Sequence, residues 1–144
     1  MSKKIISFEE FEKAVMQKLI EEDTSINKIL QEQYKKAKVE NRNFTGVGFF
    51  TDFEIPEDTP RVIETVKYGY GNVSGKINNI DIGFILFIKD GIIICLEGYT
   101  YYDSWPDIIT HYELYHYVEQ IVSKTETTTV ITCKPKLNTI TRQP

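Results

Sequence analysis

Seven aromatic side chains and four carboxylates crowd into LEGYTYYDSWPDIITHYELYHY, residues 96 to 117. Tyr99, Tyr101, Tyr102, Tyr112, Tyr115, Tyr117 and Trp105 alternate there with Glu97, Asp103, Asp107 and Glu113. Tyrosine and tryptophan offer large rigid contact area with a polar tip, the chemistry of a recognition surface. The first half of the block is the densest, so the candidate binding residues are Glu97, Tyr99, Tyr101, Tyr102, Asp103 and Trp105. A bland alternative is that several of these rings cap an open end of the core and keep their hydroxyls in water.

The same residue types also sketch an active site. Glu97 and Asp103 imitate the carboxylate pair of a glycosidase flanked by sugar-stacking rings, and His111 is an acid–base candidate beside them. Any acidic, tyrosine-rich loop produces that pattern, so a small-molecule (for example sugar) binding protein or hydrolase with a tyrosine-lined pocket stands as the alternative. His111 and His116 are five apart, which puts them on opposite faces of a strand and about 140° apart on a helix. They make a poor metal pair, and no metal or cofactor is expected. Cys95 and Cys133 have no CxxC or Cys/His spacing and are expected as free thiols. GYGNVSG, 69 to 75, has neither the lysine nor the strand-to-helix setting of a phosphate loop and reads as turns.

Charge narrows the partner class. Residues 1 to 42 hold nine basic and eight acidic side chains, residues 43 to 123 four and twelve, and residues 124 to 144 four and one. The middle of the chain is therefore net −8 within a total of −4. Such a body repels nucleic-acid phosphate, whose affinity comes from Lys and Arg displacing counterions, and it favours a cationic protein partner. MSKKIISFEE, at the start, has too short an apolar stretch for a secretory signal, and no run approaches the roughly 18 to 20 apolar residues of a membrane span. The expectation is a soluble cytoplasmic protein with no membrane partner.

These residues need a frame to hold them. Ser7 with Glu10 forms an S-x-x-E capping box, and Phe8, Phe11, Val15 and Leu19 follow at helical spacing. A second helical pattern, Ile26, Ile29, Leu30 and Ala37, starts after a break at EEDTS. From Asn41 the texture turns to Phe, Tyr, Val, Ile and Gly. TGVGFFTDFEI, 45 to 55, reads as a strand closed by PEDTP; RVIETVKYGYGNVSGKIN supplies one or two more, and another is expected near 128 to 133. ITHYELYHYV, 109 to 118, is ambiguous in period and is assigned to strand for its tyrosines. One domain results: residues 1–42 are helical, residues 43–133 form the sheet, and residues 134–144 are a flexible tail.

GFILFIKDGIIICLEGYT, 83 to 100, supplies the sharpest geometry. Asp90-Gly91 between apolar runs predicts a type I′ hairpin turn, because both central positions tolerate positive φ. Regular pairing then sets Ile88 against Ile93, Leu86 against Cys95, Phe84 against Glu97 and Ile82 against Tyr99. The opposite face carries Ile85, Phe87, Ile92, Ile94 and Leu96, with Gly83 across from Gly98. Both faces are apolar, so one receives the helices and the other meets more sheet or a second molecule, including a second copy of the chain. The aliphatic face, Ile85 to Leu96, is the one expected under the helices.

GVGFFTDFEIP (46 to 56), GFILFIKDG (83 to 91) and LEGYTYYDSWP (96 to 106) together resemble a group of small uncharacterised bacterial proteins with the pattern GxGFFT, GFxLFxxDG and LEGYTYxxxWP. The resemblance spans about residues 44 to 107, and its last motif is the most specific. It implies a compact cytosolic α+β domain similar to immunity proteins of contact-dependent and polymorphic toxin systems, and it implies no catalytic residue. The fold expected is α+β, with two N-terminal helices on a curved, mainly antiparallel sheet of about five or six strands. The function expected is a non-enzymatic protein-binding module, an immunity protein that neutralises a basic toxin through its acidic aromatic surface.

Overall fold

A computed structural model describes residues 4–136 and 139–143, with backbone alone for 119–124 and 129–134. The expected thiol of Cys133 and residues 137, 138 and 144 of the expected tail lie outside the described set. Two helices, α1 (Phe8–Leu19) and α2 (Ser25–Lys36), precede nine strands: β1 (Lys38–Phe44), β2 (Gly48–Glu54), β3 (Gly69–Tyr70), β4 (Val73–Ile77), β5 (Ile80–Lys89), β6 (Ile92–Thr100), β7 (Tyr112–Lys124), β8 (Thr129–Pro135) and β9 (Thr141–Arg142). Every pairing between them is antiparallel. The sheet runs β1-β2-β6-β5-β4-β7-β8, with β3 added to β5 and β9 to β7. This is the α+β class with two N-terminal helices on an antiparallel sheet.

The strand count exceeds the expected five or six, and the excess has a cause. The strand β1 occupies residues expected in part to be helical. Its sequence, KVENRNF, lacks apolar alternation because nearly all of it is exposed at a sheet edge. The helix α2 stops at Lys36 because Ala37 is already extended, with φ −66° and ψ 144°. The two-residue strands β3 and β9 are too short to show a period. Thr141–Arg142, within the stretch expected as a tail, pairs with Glu113 and Leu114 of β7.

Local chemistry sets both helix starts. The Glu10 amide donates to Ser7 Oγ at 3.1 Å, and the Asn27 amide donates to Thr24 Oγ1 at 3.0 Å. From α1, Phe11, Val15, Met16 and Leu19 are buried, with the Phe11 ring 5.9 Å from Phe84 and 5.5 Å from Tyr112. The sheet meets them with Phe49, Val73, Ile77, Ile82, Phe84, Leu86, Ile93, Leu96 and Leu114. Three buried polar side chains tie the layers together. Glu12 accepts from Arg42 Nε at 3.0 Å and Nη2 at 2.8 Å, and from the Thr51 hydroxyl at 2.6 Å, joining α1 to β1 and β2. Gln33 donates to Pro60 O at 3.0 Å and Gly91 O at 2.8 Å and accepts from the Ile93 amide at 3.0 Å, pinning α2 to the hairpin turn. His116 brings its ring nitrogens within 3.1 Å of Glu21 Oε1, Glu22 Oε1 and the Lys18 carbonyl, fastening β7 to the end of α1.

The turn lies where the sequence places it, with Asp90 at φ 53° and Gly91 at φ 75°, and Lys89 faces Ile92. The register beyond it is different. Ile88 pairs with Ile93, but Phe87 pairs with Cys95, so Ile94 is an extra residue that bulges out of the ladder. From there the pairs are Leu86–Leu96, Ile85–Glu97, Phe84–Gly98, Gly83–Tyr99 and Ile82–Thr100. The bulge turns Leu96 into the core beside Leu86, and the face under the helices is Ile82, Phe84, Leu86, Ile88, Ile93 and Leu96, not Ile85 to Leu96. Two glycines explain why the shifted register packs. A methyl group at Gly98 would run into the Phe49 ring on the core side, and one at Gly83 would sit 2.5 Å from the Tyr99 ring on the other. Each glycine gives its space to an aromatic ring from a neighbouring strand.

Candidate functional site

Pairing across five strands builds the site on the side of the sheet away from the helices. Directly paired residues share a face, so Gly48, Tyr99, Gly83, Ser74 and Tyr115 form one row across β2, β6, β5, β4 and β7. One pleat along, Phe50, Glu97 and Ile85 form the next row, and then Asp52, Cys95 and Phe87. Beyond the tyrosine row in the opposite direction lie Asp81, Lys76 and Glu113. Gly83 and Ser74 lie between two tyrosines, and the Tyr99 ring leans over Gly83 into the space that a methyl group would take. The Tyr101 ring meets Tyr99 edge-on, with centroids 5.6 Å apart and planes at 83°.

Electrostatics sets Glu97 apart. It is half-buried, and burial raises its carboxyl above the usual carboxylate range because water is withdrawn from the charged form. The neighbouring acids have partners. Asp81 lies 4.0 Å from Lys76 Nζ, and Glu113 accepts from Arg142 Nε at 2.8 Å. Among the described residues, none forms a hydrogen bond or ion pair with the Glu97 carboxylate. The phenol of Tyr99 is pushed up to about 12, first by burial and then by Tyr101 and Tyr117 beside it. Burial, followed by Asp81, Tyr101 and Glu113, also raises Tyr115. Cys95 is pushed up to about 12, first by burial and then by Asp52, which favours the thiol over the thiolate.

The six residues singled out in the sequence divide three ways. Glu97, Tyr99 and Tyr101 stand together on the helix-free face. Glu97 and Tyr99 sit within β6, with Glu97 half-buried, and Tyr101 lies just past the end of that strand. Tyr102, 99% exposed, and Asp103 lie on the bend after β6, where the Thr100 hydroxyl donates to the Asp103 carbonyl. Trp105 points the other way, 5.2 Å from the Phe49 ring and 6.2 Å from Phe11, and its amide donates to Gly46 O at 2.8 Å. It lines a cleft of about 370 Å³ with Ile5, Phe8, Phe44 and Ile108. Sequence reasoning missed Tyr115, Ile85 and Phe87 as members of the face. Ile85 and Phe87 follow from strand alternation once the bulge is known; Tyr115 depends on the pairing of β4 with β7, which has no local signal.

The acid–base candidates are dispersed. His111 lines a cleft with Lys4, Ile6, Glu10, Asn79, Thr110 and Gln143, and its Nε2 is 3.4 Å from Asn79 Oδ1, whereas Glu97 lies within the helix-free face. His116 is enclosed by Lys18, Glu21 and Glu22. Among the described residues, no three His, Cys, Asp or Glu side chains gather to hold a metal ion. No helix among them is long and apolar enough to cross a membrane. No family model, curated protein or solved structure matches this chain.

Proposed function

We propose that this chain is a non-enzymatic protein-binding module whose helix-free sheet face receives a cationic protein. The observation that carries the reading is Glu97, a half-buried carboxylate with no basic partner among the described residues, set between Phe50 and Ile85 in a field of tyrosines. An isolated charge in apolar surroundings is costly, and a cation arriving on that face removes the cost. The surplus of acidic over basic side chains in residues 43–123, net −8, supports the same sign of partner by steering it in and holding its register. A bacterial cytoplasmic immunity protein that blocks a basic toxin has this charge logic, and the motif resemblance points the same way.

The test is a selection of random displayed peptides on the immobilised protein, repeated with the Glu97→Lys/Asp103→Lys double variant. The expected winners are cationic, bind the wild type and lose the double variant, whose melting temperature stays within a few degrees of wild type. Winners without positive charge, or winners held equally by the double variant, overturn the reading. Should the double variant unfold, Asp103→Lys with Tyr101→Leu, both exposed positions, repeats the test without touching the half-buried carboxylate.

A further inference from the structure

The row of tyrosines on the helix-free face sets aromatic rings beside a carboxylate, a chemistry that selects one kind of cation. In that row Tyr99 and Tyr115 stand on either side of Gly83 and Ser74, and the Tyr99 ring lies over Gly83. Tyr101 stands edge-on to Tyr99 and is 50% exposed, so a ring face remains open to an incoming group. Glu97 lies two residues from Tyr99 on the same strand and face. Lys76 and Arg142, basic groups on strands beside the seat, are directed to Asp81 and Glu113. The tyrosines therefore form an aromatic surface beside a carboxylate that has no ion-pair partner among the described residues.

Resting on the docking face proposed above, we infer that Tyr99, Tyr101, Tyr115 and Glu97 form a seat for one arginine side chain of the partner. A guanidinium is planar and weakly hydrated, so it stacks on a tyrosine face while its N–H groups point along the plane to a carboxylate. It gives two parallel hydrogen bonds to Glu97, which a lysine ammonium does not. The ammonium is also the more strongly hydrated of the two and loses more water on entering a half-buried seat. Gly83 gives the Tyr99 ring its place; replacement by alanine pushes that ring out, and the end of a side chain can move without unfolding the sheet.

The probes are N-acetyl-arginine methylamide, the matching lysine compound, and the matching citrulline compound, which has arginine's shape without the charge. Tyrosine ring resonances are followed by NMR during titration at low salt. The arginine compound is expected to give saturating shifts at Tyr99, Tyr101 and Tyr115, the lysine compound to bind several-fold more weakly, and citrulline to leave the rings unmoved. Glu97→Gln is expected to weaken arginine binding roughly tenfold, and Tyr101→Leu about threefold. Gly83→Ala is expected to weaken it as well, with the protein still folded. Equal binding of citrulline, equal binding of lysine, or indifference to both Glu97→Gln and Tyr101→Leu overturns the seat. Cationic peptides that perturb these rings while the arginine compound does not leave the docking face standing and remove the seat alone. If the arginine compound binds as expected and no cationic peptide does, the seat stands and the docking face fails.

Discussion

At the scale of the residue, Glu97 makes its own prediction about pH. Burial raises its carboxyl above 4.5, so between the ordinary carboxylate value and the raised one the folded chain holds a proton that the unfolded chain has released. The contribution of this residue to stability is thus fully present below the ordinary value and is lost as pH rises through the raised one. Glu97→Gln removes that dependence while keeping shape. Urea unfolding across the mildly acidic range is expected to show the variant gaining on wild type as pH rises; parallel curves would mean the carboxylate is well solvated. Binding of a cation runs in the opposite direction, because the partner prefers the ionised form. Affinity for the arginine compound is therefore expected to fall as pH drops through the same window, and a wild-type affinity independent of pH there would detach Glu97 from the seat.

At the scale of the element, the hairpin β5–β6 shows what is legible in a sequence and what is not. The Asp90-Gly91 turn is written in two residues, as are the Ser7 and Thr24 caps, since each depends on the conformations of a few neighbours. That Glu97 and Tyr99 share a face follows equally from alternation within one strand. The bulge at Ile94 has no such local cause. It satisfies a fit between strands, in which Gly98 yields to Phe49, Gly83 yields to Tyr99 and Leu96 turns inward, and a single chain read along its length does not display that fit. For the same reason the inward turn of Trp105 is not readable from the aromatic run around it, because its neighbours Phe11 and Phe49 come from distant elements. Gln33 reads in sequence as a polar residue on a wet helix face, yet it is fully buried and holds the turn that sets the face. Gln33→Leu keeps the volume and strands the Pro60 carbonyl and the Ile93 amide, while the Gly91 carbonyl keeps the Val62 amide at 3.1 Å. Each such group costs about 1 to 3 kcal/mol, so a loss near 3 kcal/mol is expected in chemical denaturation. Hydrogen exchange at Ile93 is expected to quicken more than exchange in β7, and a variant as stable as wild type would show that the turn holds without α2.

At the scale of the whole molecule, the helices cover one side of the sheet and no described helix covers the other, so the identity of an occupant there decides the biology. A second copy is the simplest occupant, and Phe50, Ile85 and Phe87 supply apolar surface for it. These side chains are already half-buried, however, and finishing their burial yields only a fraction of the roughly 1.5 to 3 kcal/mol that full burial of each gives. Association itself costs about 4 to 15 kcal/mol. A two-fold interface also sets each acidic face against its own copy, and like charges brought together cost several kcal/mol more, roughly. The balance favours a monomer at neutral pH and low salt, with self-association growing as acid protonates the carboxylates of the face. Sedimentation velocity at pH 7.5 and pH 5 at matched salt checks this, with the larger species expected only in acid. A dimer already present at pH 7.5 that Ile85→Lys disperses would make the second copy the natural occupant of the face, and the cationic partner would no longer be needed to explain why that side of the sheet is left uncovered.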